Sequence, residues 1–73
     1  MPLKPLPYRL VKRKLERAGF TIVSQRGSHV KFVRDNDDGV WTVIVPHHRE
    51  ISVGLLRSIL RQAGLTPNEF ERL

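Results

Sequence analysis

Three short runs rich in β-branched and aromatic residues, joined by turns of only three and five residues, constrain this chain more than any other feature. The runs are Phe20 to Gln25, His29 to Arg34 and Val40 to Val45, and the turns are Arg26-Gly27-Ser28 and Asp35-Asn36-Asp37-Asp38-Gly39. A parallel return needs a crossover of a dozen or more residues, so connections this short predict an antiparallel meander, with Gly27 free to take the positive φ of a hairpin turn. In the middle run Val30 and Phe32 alternate with His29 and Lys31. Period-two alternation of this kind marks a sheet with one covered face and one open face, and it directs His29 away from the core. Trp41, Val43 and Val45 alternate together in the third run. Trp41 has two readings, core packing or a stacking platform for a base, and the shared alternation favours the core.

Helical patterns flank the meander. Pro7 suits a first helical turn, Tyr8, Val11, Leu15 and Ala18 follow on one face, and Gly19 is a left-handed stop, which predicts a helix of about three turns. Pro46 ends the third strand and Ser52 is placed to cap a second helix bearing Leu55, Leu56, Ile59, Leu60 and Ala63, closed by Gly64. Thr66-Pro67-Asn68-Glu69 has the capping-box arrangement with proline at the first helical position, opening a short helix that docks Phe70 and Leu73. The expected fold is therefore α+β, in the order αβββα plus a short α, with helices on one face of a three-stranded antiparallel sheet.

At 73 residues there is room for one core, so residues 1–73 are expected to form a single domain. With no cysteine, neither a disulfide framework nor a thiolate zinc site is available, and the 40% apolar content must hold the fold unaided. Prolines and charges interrupt the start of the chain, whose first five or six residues read as a linker, and no run approaches the ~20 apolar residues of a membrane span. A cytoplasmic protein without a membrane association is expected.

The net charge of +6 is unevenly distributed. Through Arg34 nine Lys and Arg stand against Glu16 alone, an excess of +8, whereas four stand against six from Asp35 onward, an excess of −2. Arg9, Arg13 and Arg17 recur at i, i+4 and i+8 on the first helix, with Lys12 and Lys14 beside them. Like charges at that spacing repel by a few tenths of a kcal/mol per pair, a sign that phosphates of a polyanion would reverse. A basic surface kept for solubility is the plainer alternative.

Three groups of residues invite a chemical reading. Asp35, Asp37 and Asp38 have the look of a calcium loop, but the segment is too short and lacks the remaining oxygen ligands, and turns favour Asp and Asn for local hydrogen bonds. His47, His48 and Glu50 could be joined with His29 as a zinc site, but adjacent histidines on an extended segment diverge, so no metal is expected. His29 differs. Gly27 allows close approach, Ser28 adds a hydroxyl, Lys31 shares its face, and an imidazole among cations tends to stay neutral and able to accept a proton. On residue chemistry alone the structural and catalytic readings of His29 stand about even.

Four segments in register then resemble one family over nearly the whole chain: LERAGF at 15–20, GSH at 27–29, VPHH at 45–48 and GLLRSILRQAGLTPNEF at 54–70. They are similar to the HicA family of toxin–antitoxin mRNA interferases, which have a double-stranded-RNA-binding-domain-like αβββα fold. The resemblance implies that His29 is the catalytic histidine of the G-S-H motif and that His48 fills the histidine of the V-P-x-H segment. It also implies ribosome-independent mRNA cleavage, a cognate HicB-like antitoxin, and growth arrest when the toxin is free; a histidine that supplies the proton transfer requires no metal, so no cofactor is expected. The chain departs from the family at Gly54-Leu55, where Gly-Thr is common, and at Val53, where lysine is frequent. In this reading His29 is the general base on the ribose 2′-OH, Arg26 and Lys31 meet the charge at phosphorus, and Ser28 beside Gly27 adds a hydrogen bond. His48 or water is the acid. Arg9, Lys12, Arg13, Arg17, Arg26 and Lys31 bind RNA, and DNA is not cut. Two alternatives remain at this point: a non-catalytic RNA-binding module of the same fold, and a degenerate toxin that only binds its antitoxin.

Overall fold

A computed structural model describes residues 3–73. The chain runs β1 (Leu6–Pro7), α1 (Tyr8–Arg17), β2 (Thr21–Arg26), β3 (His29–Asn36), β4 (Gly39–Pro46), β5 (Glu50–Ile51), α2 (Val53–Ala63) and α3 (Pro67–Glu71). Strands β2, β3 and β4 form the antiparallel sheet in that order, giving the α+β, double-stranded-RNA-binding-domain-like arrangement. One face, carrying Val30, Phe32, Val43 and Val45, is closed by Val11 and Leu15 of α1 and by Leu56, Ile59, Leu60 and Ala63 of α2. His29 and Lys31 are exposed, on the opposite face.

Both hairpins are two-residue loops. Arg26 pairs with His29, and Gly27 between them has φ of 60°, the positive value that a type II′ turn requires at its first position. Asn36 pairs with Gly39, and the Asn36 side chain accepts the Asp38 amide at 2.9 Å. The acidic turn thus uses Asn36 for local hydrogen bonding.

The helix termini follow their capping residues. Ser52 accepts the Leu55 amide at 3.3 Å, Gly64 closes α2 in the left-handed region, and Thr66 and Glu69 form a reciprocal capping box. The Glu69 carboxyl is held below its ordinary value by its hydrogen bonds with the Thr66 backbone and side chain. Pro7 caps α1 from extended backbone instead of occupying its first turn, and Ala18 is the C-cap. Trp41 packs against the core and its ring lies over Gly64, as the alternation favoured.

The structure departs from expectation in four further places. Leu6, at the end of the segment expected as a linker, and Pro7, expected in the first helical turn, pair with Ile51 and Glu50 in a two-strand ribbon, and Leu3 and Leu6 pack on the core. A bulge at Val23 breaks the register of β2, all of whose residues are exposed. Phe20, expected inside that strand, is a buried residue just before it. Lys14, expected beside the arginine stripe, turns its ammonium to the carbonyls of Phe70 and Leu73 at 3.0 and 3.1 Å and ties α1 to the end of the chain. Charge-assisted bonds of that kind are roughly twice as strong as neutral ones, which outweighs leaving the stem extended into solvent.

Arg34 is a structural cation too. Its guanidinium donates to the Ala18 carbonyl at 3.2 Å and lies 5.1 Å from the Phe20 ring centroid, satisfying the end of α1 from the sheet. The edge of β4 is covered where Gln62 of α2 accepts the Ile44 amide at 2.9 Å.

Candidate active site

The turn that carries His29 is braced on both sides. Gln25 donates its side-chain amide to the Gly27 carbonyl at 3.1 Å, and the His47 backbone N–H donates to the Ser28 carbonyl. Those bonds hold Gly27, Ser28 and His29 against the end of β4 without using any side-chain atom of Ser28 or His29, which leaves the hydroxyl and the imidazole free for a ligand.

On the central strand His29 has Arg26 directly opposite on β2 and Pro46 opposite on β4. Directly opposed residues bring their Cβ atoms to roughly 4.5–5.5 Å, so the Arg26 cation and the His29 imidazole share one small area of the open face. Lys31 lies two residues further along the same face, opposite Ser24. The sheet therefore gathers a titratable imidazole, two cations and a hydroxyl on exposed, rigid backbone. Such a set can accept a proton and stabilise anionic charge beside it.

His48 follows two residues after Pro46, and its amide donates back to the Pro46 carbonyl at 2.8 Å. It is exposed in the segment that leads to β5. His47 instead lies on Tyr8, with ring centroids 3.9 Å apart and planes 26° from parallel. Tyr8 is 7% exposed, and burial, reinforced by Glu16, pushes its phenol above the ordinary value. Among the described residues, no three His, Cys, Asp or Glu side chains gather into a group that could hold a metal ion.

The arginine stripe starts beside this region. Arg9 shares a surface groove with His47, His48 and Arg49, and Arg13 and Arg17 continue along exposed α1 for about 12 Å at 1.5 Å per residue. Lys12 is half-buried and engaged with Glu16 at 3.3 Å, so it is less available to a ligand than the arginines. The residues that sequence reading undervalued are Tyr8, His47 and Arg49. Tyr8 reads only as a core position, and its partner His47 is far away in sequence, so no local periodicity signals their contact.

The covered sheet, the exposed histidine beside its two-residue turn and the basic helix next to it define a small α+β scaffold of the double-stranded-RNA-binding-domain-like type. The profile of the HicA toxins of bacterial toxin–antitoxin systems matches residues 8–65, and the chain belongs to that family. It is thus the toxin of a toxin–antitoxin system. Among curated proteins none matches the chain. No helix among the described residues is long and apolar enough to cross a membrane.

Proposed function

We propose that this toxin is a cytoplasmic, metal-independent endoribonuclease that cleaves mRNA without the ribosome, the chain acting as one domain over residues 1–73. The observation that carries the reading is the exposed His29, fixed on the braced Gly27-Ser28 turn with Arg26 opposite and Lys31 on the same face. His29 takes the proton from a ribose 2′-OH, and that oxygen attacks the adjacent phosphorus. The negative charge of the pentacoordinate phosphorus is met by Arg26 and Lys31, with Ser28 donating a hydrogen bond. The bond to the 5′-oxygen then breaks, and the departing oxygen receives a proton from His48 or water. Proton transfer by one positioned side chain contributes typically ~10²–10⁴-fold, within the reach of a lone histidine. Arg9, Arg13 and Arg17 hold the strand by its phosphates, with Lys12 contributing once released from Glu16.

A HicB-like antitoxin is the expected partner. Its simplest mode of inhibition is to present acidic side chains to the basic surface that would otherwise bind RNA. The test is incubation of the purified protein with end-labelled mRNA in EDTA, wild type beside His29→Ala. Cleavage by the wild type should yield 2′,3′-cyclic phosphate and 5′-OH ends, and DNA of the same sequence should bind uncut. Products with 5′-phosphate would mean that water is the nucleophile and would refute the mechanism. Binding without cleavage would favour a non-catalytic RNA-binding module, and loss of both would leave an antitoxin-binding protein.

A further inference from the structure

The groove formed by Pro7, Tyr8, Arg9, His47, His48 and Arg49 has a volume of about 380 Å³ and lies outside the His29 cluster. Two features of it are unlike an ordinary charged surface. First, the exposed His47 ring is stacked at 3.9 Å on a tyrosine that the core almost completely buries. An exposed imidazole normally keeps its rotamer freedom, and stacking on an immobile ring removes that freedom before any ligand arrives. Second, two arginines and a second histidine surround the stack, so a planar platform and positive charge occupy the same small space.

Platform and charge together match a nucleotide, which combines a π-face with a phosphate. Successive bases of a single strand stack on aromatic side chains whatever their identity, while cations track the backbone. An acidic protein segment would be served by the cations alone and makes no use of a preset flat ring. Position agrees with this, because the His47 N–H bond to the Ser28 carbonyl fixes the groove against the turn that carries His29.

We propose that this groove is a nucleotide subsite: one base of a single-stranded RNA, splayed out next to the cleaved bond, stacks on His47, and its phosphate lies between Arg9 and Arg49. The inference deepens the ribonuclease reading and rests on it for the identity of the strand. It assigns His47 to substrate positioning, distinct from the proton transfer given to His29. The subsite predicts a single-stranded substrate at this position, since a base held in a duplex cannot reach a side-chain platform.

Binding measured without any 2′-OH separates the subsite from the chemistry. The probes are a short oligo(dT) strand and an abasic phosphodiester strand of equal length, titrated by fluorescence anisotropy into the full chain. Wild type should prefer oligo(dT) by about tenfold, the effect of one stacked base. His47→Ala should bring that preference to about one, and His47→Phe should preserve it. Arg49→Gln should weaken both strands alike and flatten the log–log salt dependence by about 0.7. Equal binding of the two strands by wild type would overturn the proposal, and that comparison decides even if a variant fails to fold. A preference unchanged in His47→Ala would also overturn it, as would His47→Ala losing antitoxin binding while keeping the preference, since the groove would then be a protein contact. If the preference holds but wild type never cuts RNA, the ribonuclease reading fails and the subsite stands. If RNA is cut without any preference, only the subsite fails.

Discussion

Replacing His29 by alanine separates the two roles a histidine can play, because the structure makes their energetic signatures differ. The imidazole is exposed on the open face, opposite Arg26 and Pro46, so its removal leaves no cavity in the core formed by Val30, Phe32 and Val43. The backbone bonds that hold the turn, from Gln25 to Gly27 and from His47 to Ser28, do not involve the imidazole. What is lost is at most one cross-strand contact, and exposed substitutions usually stay within ~0.5 kcal/mol. At about 4–8 °C per kcal/mol for a domain of this size, Tm should move by no more than about 4 °C. Loss of the general base, in contrast, should lower the cleavage rate by ~10²–10⁴-fold. Both quantities come from one preparation: a melt followed by the fluorescence of Trp41, the single tryptophan, and a timed cleavage of labelled RNA in EDTA. A folded His29→Ala protein that cuts RNA at the wild-type rate would refute the assignment and pass the role to His47 or His48. A Tm fall of ten degrees or more would mean that the imidazole is structural, contrary to its exposed position, and that activity is lost only with folded protein.

Replacing Arg9, Arg13 and Arg17 together by Gln should weaken RNA binding and reduce the log–log salt slope by about 2, three contacts at ~0.7 each on a single strand, and an unchanged slope would remove α1 from the RNA path. Gly64→Ala should be destabilising by about 2–5 kcal/mol, since a left-handed residue with a side chain costs ~1–2 kcal/mol and overpacking ~1–3 more. The added Cβ would sit 2.8 Å from the Trp41 ring at φ of 70°, so Trp41→Leu in the same chain should recover the overpacking part in a circular-dichroism melt. Glu69 has a carboxyl lowered in the fold, so its contribution is present above the ordinary carboxylate range and fades as pH falls through the folded value. Glu69→Gln should therefore flatten the acid limb of denaturant stability, and an acid limb identical to that of wild type would contradict the assignment.

Local chemistry by itself determined most of the scaffold. The Gly27 turn, the alternation of Val30 and Phe32 with His29 and Lys31, the Ser52 and Thr66 caps and the Gly64 stop all appear where the sequence predicts them. Each depends on residues within a few positions of one another, where backbone conformation and hydrogen-bond capacity leave few choices. The exposure of His29 on the open face was legible for the same reason, as was the arginine stripe. Only tertiary structure decided which charges are available. Lys14 and Arg34 look like members of a basic surface, yet one is held by carbonyls 56 and 59 positions away and the other lies against Phe20. The β1–β5 ribbon and the Tyr8–His47 stack likewise join segments far apart in the chain. Periodicity reports which face of its own element a residue occupies, but the partner it meets across the core depends on how the elements pack, and that is where the groove beside His29 is made.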